Sequence, residues 1–334
     1  MFFSTSCYAL AAYPCGKFSA ISKVFPPPQH QQYPNMTRSE LLRDNGAYSR
    51  LGRYLAHKFP GGGKRIDFHA ASNGNQRYDV ALGLLQAKLQ KLAQNLKSTP
   101  EKLLESKDPR IMRIILRAVN ALPRKFQIFA SDLDPIQVQA GQNGPVLDSG
   151  FQSRAGNLGL RDLCSKLFYA QPQNRFIVDS KGVAKAEVNI VEPALKHAVG
   201  GLVEADAFNM VKKPNVTDVL VTSNWLGHMA MIIDSTMRND AERTQDIGRV
   251  RQYLSDAANY LKHKGLLVLG CVDHSWDVTS LMPRGRFRPV EDPSLTIKYS
   301  PLSIELATGE GRRRYLENAS AGRFPAQKES PFVF

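Results

Sequence analysis

The run Asp218-Val219-Leu220-Val221-Thr222-Ser223 constrains the fold most. Its apolar residues are contiguous, without the alternation of a half-solvated strand, and the run is too short for a helix. Strands of this kind are buried on both faces, as in parallel sheets covered by helices. Four more segments fit the same sheet: Arg65 to Ala70, Phe126 to Ser131, about Gly201 to Glu204, and Leu266 to Cys271. Between them lie stretches with apolar residues at helical spacing, such as Val80, Leu84, Leu85, Leu89, Leu92 and Leu96. Strands alternating with helices predict an α/β fold, a doubly wound and mostly parallel sheet.

The remaining elements follow from local signals. Thr37 and Glu40 form a capping-box pattern that predicts a first helix from Thr37 to about residue 60, where Pro60-Gly61-Gly62-Gly63 stops it. Another helix is expected over about 100–120, and Pro135 suits the first turn of the helix after Ser131. Residues 141–160 are Gly- and Asn-rich and read as loop, followed by a helix near 157–168. Arg175-Phe176-Ile177-Val178, a Ser180-Lys181-Gly182 turn and Ala186 to Ile190 read as a β-hairpin. A helix over about 240–263 is expected to end at Lys262-His263-Lys264-Gly265, with cations in its last turn and glycine after it. Leu295 to Leu306 offers a final strand pair. The organisation expected is a disordered segment 1–36, an N-terminal helix 37–60, an α/β domain 61–275 with the hairpin inserted at about 174–190, and C-terminal strands with a basic tail over 276–334. Pro26-Pro27-Pro28-Gln29-His30-Gln31-Gln32 cannot build a core.

Charge bears on partners. The chain carries 44 basic and 30 acidic residues, a formal net charge of +14. Such a balance attracts acidic protein faces, nucleic acid or anionic surfaces. Arg284, Arg286 and Arg288, then Arg312, Arg313 and Arg314, form two basic clusters, which also fit a solvated tail. No apolar run approaches the ~20 residues of a membrane helix, so no membrane insertion is expected. Cys7, Cys15, Cys164 and Cys271 lack CxxC spacing and neighbouring histidines. They read as free thiols, with no metal site. The N-terminus lacks the basic region of a secretory signal, so a cytoplasmic location is expected.

Function is carried by strand ends. Phe126 to Ser131 runs into Asp132-Leu133-Asp134-Pro135. In nucleotide-binding α/β sheets an acidic side chain at a strand's carboxyl end holds ribose hydroxyls, because a carboxylate accepts two hydrogen bonds from a vicinal diol. Alone, this pattern also fits a turn with solvated acids. Upstream, Arg65 to Ala70 leads through Ala71-Ser72-Asn73-Gly74 into a helix, the strand–turn–helix of a cofactor cleft.

In order, these pieces resemble the S-adenosylmethionine-dependent methyltransferases of the CheR type, which esterify glutamates of chemotaxis receptors. The resemblance covers about residues 37 to 275. Glu40-Leu41-Leu42-Arg43-Asp44 stands where that family has Phe-Phe-Arg-Asp, and Ala130-Ser131-Asp132-Leu133-Asp134 where it has Ala-Thr-Asp-Ile-Asp. The Arg175–Ile190 hairpin resembles its flap. Thr222-Ser223-Asn224-Trp225-Leu226 parallels Cys-Arg-Asn-Val-Leu, and Leu266 to Ser275 parallels Leu-Phe-Leu-Gly-His-Ser-Glu.

The resemblance implies a class I methyltransferase, Rossmann-like, with S-adenosyl-L-methionine as cofactor. Arg43, assisted by Ser39, would reach its methionine carboxylate. Gly74, followed by Asn75, would admit its methionine portion, and Asp132 would hold the ribose. Asp206 and Ala207 would lie beside the adenine, and Ser223 and Asn224 would line the cleft. His228 stands where the family has tyrosine, and is read either as a polar group near the methyl acceptor or as a helix-start residue. The implied reaction is O-methylation of a carboxylate on an acidic protein acceptor. A nucleic-acid acceptor is not favoured, because no Asn/Asp-Pro-Pro-Tyr motif for a flipped base is present. The chain departs from the family at Ala70, where glycine is usual, and at Asn75, Gln76 and Arg77. It also has no room for the basic helical domain that precedes the first motif. These departures support an alternative, a catalytically degenerate binding module, even a secreted bacterial effector.

Overall fold

The structure, a computed structural model of the chain, describes residues 42, 46–71, 74–106, 108–142, 151–169, 175–178, 184–187, 190–191, 193–222, 239–269, 281–288, 290, 292 and 332–333. In chain order its elements are α1 (Ala47–Lys58), β1 (Lys64–His69), α2 (Asn75–Asn95), α3 (Pro100–Glu105), α4 (Pro109–Lys125), β2 (Phe126–Asp132), α5 (Pro135–Gln142), α6 (Phe151–Asn157) and α7 (Arg161–Leu167). There follow β3 (Phe168–Tyr169), β4 (Arg175–Val178), β5 (Ala184–Glu187), β6 (Ile190–Val191), α8 (Pro193–Ala198), β7 (Leu202–Glu204) and α9 (Ala207–Met210). The last are β8 (Thr217–Thr222), α10 (Asp240–Tyr260), β9 (Leu261–Leu269) and β10 (Phe332–Val333).

β8, the run from which the fold was read, is buried along its whole length. It lies inside a six-stranded sheet ordered β10-β9-β8-β1-β2-β7. All neighbours pair in parallel except the edge strand β10, which runs antiparallel to β9 with Phe332 opposite Leu269. From β1 the chain steps outward through β2 to β7, then returns to β8 and steps the other way to β9. The order therefore reverses between β1 and β8, the point at which open α/β sheets form a crevice outside the carboxyl ends of their strands. The fold is doubly wound and Rossmann-like.

Alternate residues of β1 face opposite layers. Ile66 and Phe68 belong to the main apolar core, and the Phe68 ring lies 6.2 Å from that of Tyr48 on α1. Asp67 and His69 face Tyr253 and Tyr260 of α10 instead. α1 is seated on α2 by a close backbone approach. A Cβ on Gly83 would stand 1.9 Å from the Ser49 carbonyl oxygen, and one on Gly52 2.2 Å from that of Val80. Only glycine fits such a crossing.

Several expectations need correction. Among the described residues the first helix starts at Ala47, and it cannot run unbroken from Thr37: Leu42 (φ 56°) and Gly46 (φ 71°) are left-handed, which a continuous helix cannot include. The helix expected over 100–120 is two, divided at residues 106–108, with the Asp108 side chain accepting the Arg110 N–H and Pro109 opening the second. Within 141–160, residues 151–157 are helical rather than loop. Phe151 and Ala155 are buried there, and the Phe151 ring meets that of Phe168 edge-on at 5.7 Å.

The helix expected to reach 263 ends at Tyr260, and Lys262 to Gly265 belong to β9. The Asp218 carboxylate accounts for this by holding the Lys262 ammonium at 2.8 Å. Thr217 sits opposite Leu261 but Val219 opposite Leu266, so β9 bulges there, with Lys264 at φ 61°. The hairpin is present, with Arg175 opposite Glu187, and is continued by an unforeseen pair, Phe168 opposite Val191. Residues 295–306, the expected strand pair, lie outside the described residues, and β10 was not anticipated.

Candidate functional site

Three of the strands that end at the carboxyl edge, β1, β2 and β7, are neighbours. β1 ends at His69, and the turn after it is tied to β2 by the Ala71 N–H, which donates to the Ser131 carbonyl at 2.9 Å. Gly74 closes this turn at φ 69° and donates to the Ala71 carbonyl at 2.8 Å. Asn75, the first residue of α2, is fully buried.

Asp132 ends β2. Its carboxylate accepts the Asp134 N–H at 2.9 Å, a short turn that orients the side chain and leads into α5. Asp132 stands opposite Glu204 of β7, and the Ala205 N–H donates to the Asp132 carbonyl at 2.9 Å. That bond sets Asp206 and Ala207 beside Asp132 in the chain's fold. The Asp206 carboxylate caps α9, accepting the Phe208 N–H at 2.9 Å and the Asn209 amide at 3.0 Å. Burial raises its pKa, against the Phe208 N–H and the charges of Lys212 and Arg249, which lower it. Its polar atoms are thus turned onto its own helix, a role the sequence reading did not foresee.

Of the residues singled out from sequence, Gly74, Asn75, Asp132, Asp206 and Ala207 come together at this edge. Ser39, Arg43, Ser223, Asn224 and His228 lie outside the described residues. Leu42, next to Arg43, is anchored by its N–H to the buried Asp79 carboxylate of α2 at 2.9 Å.

The sequence reading gave no role to four polar residues in and after β1: Arg65, Asp67, His69 and Arg77. Arg77 is buried, its guanidinium donating to the Gly74 carbonyl at 3.0 Å and the Gly200 carbonyl at 3.1 Å. Burial lowers its pKa to about 10, so it stays cationic at neutral pH. It stitches the turn after β1 to the residues before β7. On the other face, the Tyr260 hydroxyl donates to Asp67 at 2.5 Å and the Arg65 guanidinium pairs with Asp67 at 2.9 Å. Burial nevertheless raises the Asp67 pKa. His69 is fully buried, with Nδ1 3.1 Å from the Tyr253 hydroxyl and Nε2 without a partner. Burial, then the Arg65 charge, push its pKa down to about 3, so the ring is neutral. The signal for this layer was present: Arg65, Asp67 and His69 alternate along a strand otherwise expected to be buried and apolar.

Cys164 is a free, buried thiol, and burial raises its pKa, as does the Asp79 charge. It is inert rather than nucleophilic. Among the described residues no group of histidine, cysteine and acidic side chains could hold a metal ion, and no helix is long and apolar enough to cross a membrane.

No protein-family model matches the chain, and no curated protein matches it in sequence. Among solved structures it is similar to TrmN from Thermus thermophilus, at 12% identity and TM-score 0.29, over 73% of this chain and 45% of that one. The chain thus spans less than half of TrmN. It is also similar to a TehB-like SAM-dependent methyltransferase from Corynebacterium glutamicum, at 10% identity and TM-score 0.26, over 85% of each chain. A third is the glycopeptide N-methyltransferase MtfA complexed with S-adenosyl-L-methionine, at 10% identity and TM-score 0.28, again over 85% of each chain. TM-scores this low carry no argument, and the assignment of the fold rests on the strand order.

Proposed function

We propose that this chain is an S-adenosylmethionine-dependent methyltransferase that O-methylates a carboxylate on an acidic protein acceptor. The observation that carries the reading is the convergence of Gly74, Asp132 and Asp206 at the carboxyl ends of three adjacent strands, beside the reversal of strand order. The residues fit the cofactor. A carboxylate accepts at both oxygens, and the Asp134 N–H orients that of Asp132 toward the edge where a ribose diol would lie. Gly74 holds the left-handed turn at φ 69°, where a Cβ would stand 2.7 Å from the Arg77 Nε, so glycine lets the Arg77 guanidinium close on the turn that ends beside Asp132.

S-adenosylmethionine supplies a methyl group already activated on a sulfonium. The protein's part is to hold and orient the acceptor. A carboxylate acceptor is ionised at neutral pH, so no general base is needed to deprotonate it. Arg43 and Ser39 are proposed for the cofactor's carboxylate, Ser223 and Asn224 for the cleft wall, and His228 for the acceptor side. The hairpin of β4 and β5 is proposed to choose the acceptor, and the net charge of +14 favours an acidic one.

The alternative, a binding module of the same fold without catalysis, is favoured by one observation. Ala70 holds φ 51° at the position where the resemblance has glycine, so a methyl group projects from a turn meant to be bare. Calorimetry with S-adenosylmethionine, followed by transfer of labelled methyl to proteins of a whole-cell extract, separates the readings. Binding with base-labile labelling supports the enzyme, and binding without labelling of any acceptor supports the module. No binding at all sinks the enzyme and leaves the module.

A further inference from the structure

α4 carries its arginines on one line. Arg110, Arg113, Arg117 and Arg124 fall within about 60° of arc and extend about 21 Å along the axis, at 3.6 residues per turn and 1.5 Å per residue. All four are exposed, as are Asn120 and Lys125 beside them. The opposite side of the helix is occupied: Ile115, Val119 and Leu122 are buried in the core. α4 contains no acidic residue from Pro109 to Lys125, and none lies within four residues of Arg113, Arg117 or Arg124. α8, which packs on α4, adds exposed Lys196 and His197. A helix surface that needed only solubility would interleave both signs, since like charges at this spacing repel.

We propose that this arginine ridge is a docking surface for the phosphate backbone of a nucleic-acid duplex. The inference is independent of the reaction proposed above. Guanidinium groups pair with phosphate in a two-pronged geometry, and backbone contacts of this kind position a duplex without reading its sequence. An acidic protein is less suited to the ridge, because protein interfaces are built around an apolar centre. The exposed large hydrophobics among the described residues are Leu96 and Leu133, and neither is on α4. A single strand is less suited as well, since no aromatic side chain on α4 offers a base a stacking surface. A membrane surface would call for the apolar face of the helix, which the core already holds. α4 leads directly into β2 and runs back along it, so its Arg110 end lies toward the carboxyl edge of the sheet and its Arg124 end toward the base.

The test is fluorescence anisotropy of the full chain with a short RNA duplex and the matching DNA duplex, across a salt series. Four phosphate contacts give a log–log salt slope of about −3 to −4, an affinity loss of about hundredfold between 50 and 200 mM salt. Arg113→Glu with Arg117→Glu is expected to weaken binding at least tenfold and flatten the slope. Lys213→Glu with Arg251→Glu, an equal charge change elsewhere on the surface, is expected to leave most of the affinity. Arg113→Gln with Arg117→Gln serves if the reversal impairs folding, and is expected to show the same loss in weaker form. The proposal is overturned if the ridge variants lose no more than the control pair, or if the slope is shallower than −1. It is equally overturned if polyglutamate or anionic lipid vesicles bind the ridge while both duplexes are ignored.

Discussion

The two ends of the central sheet treat their carboxylates in opposite ways. At the base, Asp218 is buried and saturated: the Lys64 ammonium donates at 2.9 Å, that of Lys262 at 2.8 Å, and the Arg65 N–H at 3.0 Å. At the carboxyl edge, Asp132 and Asp206 take backbone and amide donors within short turns. The base carboxylate joins β1, β8 and the bulge of β9, and so fixes strand register. The edge carboxylates are oriented by local turns, each on its own strand end. An ionised group that holds three strands together is structural. One held by its own turn sits at the crevice and ties no strands together.

The first way to break this comparison is to remove the base carboxylate. Asp218→Ala leaves two ammonium groups and a backbone N–H without their acceptor. The lysines are about a third exposed, at 31% and 42%, so water recovers part of the loss. The expected destabilisation is about 2–3 kcal/mol, read from the midpoint of urea unfolding with its slope unchanged. Cofactor affinity of the folded protein should not move. A loss under about 0.5 kcal/mol would show that the cluster is ornament on a register set by packing alone.

Asp132→Ala is the complementary change at the other end. Two hydrogen bonds to a ribose diol are worth about 2–4 kcal/mol together, so affinity for S-adenosylmethionine should fall at least tenfold. Stability should drop by about 1 kcal/mol, the scale of a part-buried turn bond. If calorimetry returns the wild-type affinity, Asp132 is a turn residue and the two ends of the sheet differ only in solvation.

Acid should separate the ends by sign. Burial alone would raise the Asp218 pKa, but the Arg65 N–H, Lys262 and Lys64 hold it below the ordinary carboxylate value. Its contribution is therefore complete above the unfolded value, near 3.9, and is lost as pH falls through the lower folded one. Asp206 is raised by burial. The folded state then keeps a proton that the unfolded chain has released, so this group adds stability as pH falls through its folded value toward the unfolded one. Asp218→Asn should flatten the acid limb of the melting curve below about pH 4. Asp206→Asn, which still caps α9, should steepen it above about pH 4. Equal slopes in both variants would abolish the contrast.

The base and the edge also differ in how legible they were. Val219 to Val221, Ile128 and the Gly74 turn are local patterns, and they located β8, β2 and the turn before α2. What escaped depended on partners far away in the chain. Lys262 reads as a helix-terminal cation until Asp218, 44 residues earlier, draws it into a strand. Arg77 reads only as a departure from the family's turn until Gly200 supplies an acceptor 123 residues on. His69 acquires meaning only against Tyr253, and Asp67 only against Tyr260. β10 is two residues long and carries no periodic signal of its own. The start of the first helix was misplaced because a capping-box pattern at Thr37 says nothing about the left-handed residues that follow it at Leu42 and Gly46.

The smallest expected effect lies in the turn itself. Ala70 holds φ 51°, a conformation that costs an L-residue about 1 kcal/mol and glycine almost nothing. Ala70→Gly relieves that strain but adds freedom to the unfolded chain, worth about 0.5–1 kcal/mol in the other direction. Stability should therefore stay within about 1 kcal/mol of the parent. Affinity is the sharper readout. If the Ala70 methyl stands between the turn and the cofactor, its removal should raise S-adenosylmethionine affinity severalfold with little change in melting temperature, and any methyl transfer should rise with it. An affinity that rises while no acceptor is labelled would favour the binding module. An affinity that does not respond would move the cofactor away from this turn, and leave Asp132 as the edge's remaining claim to a ligand.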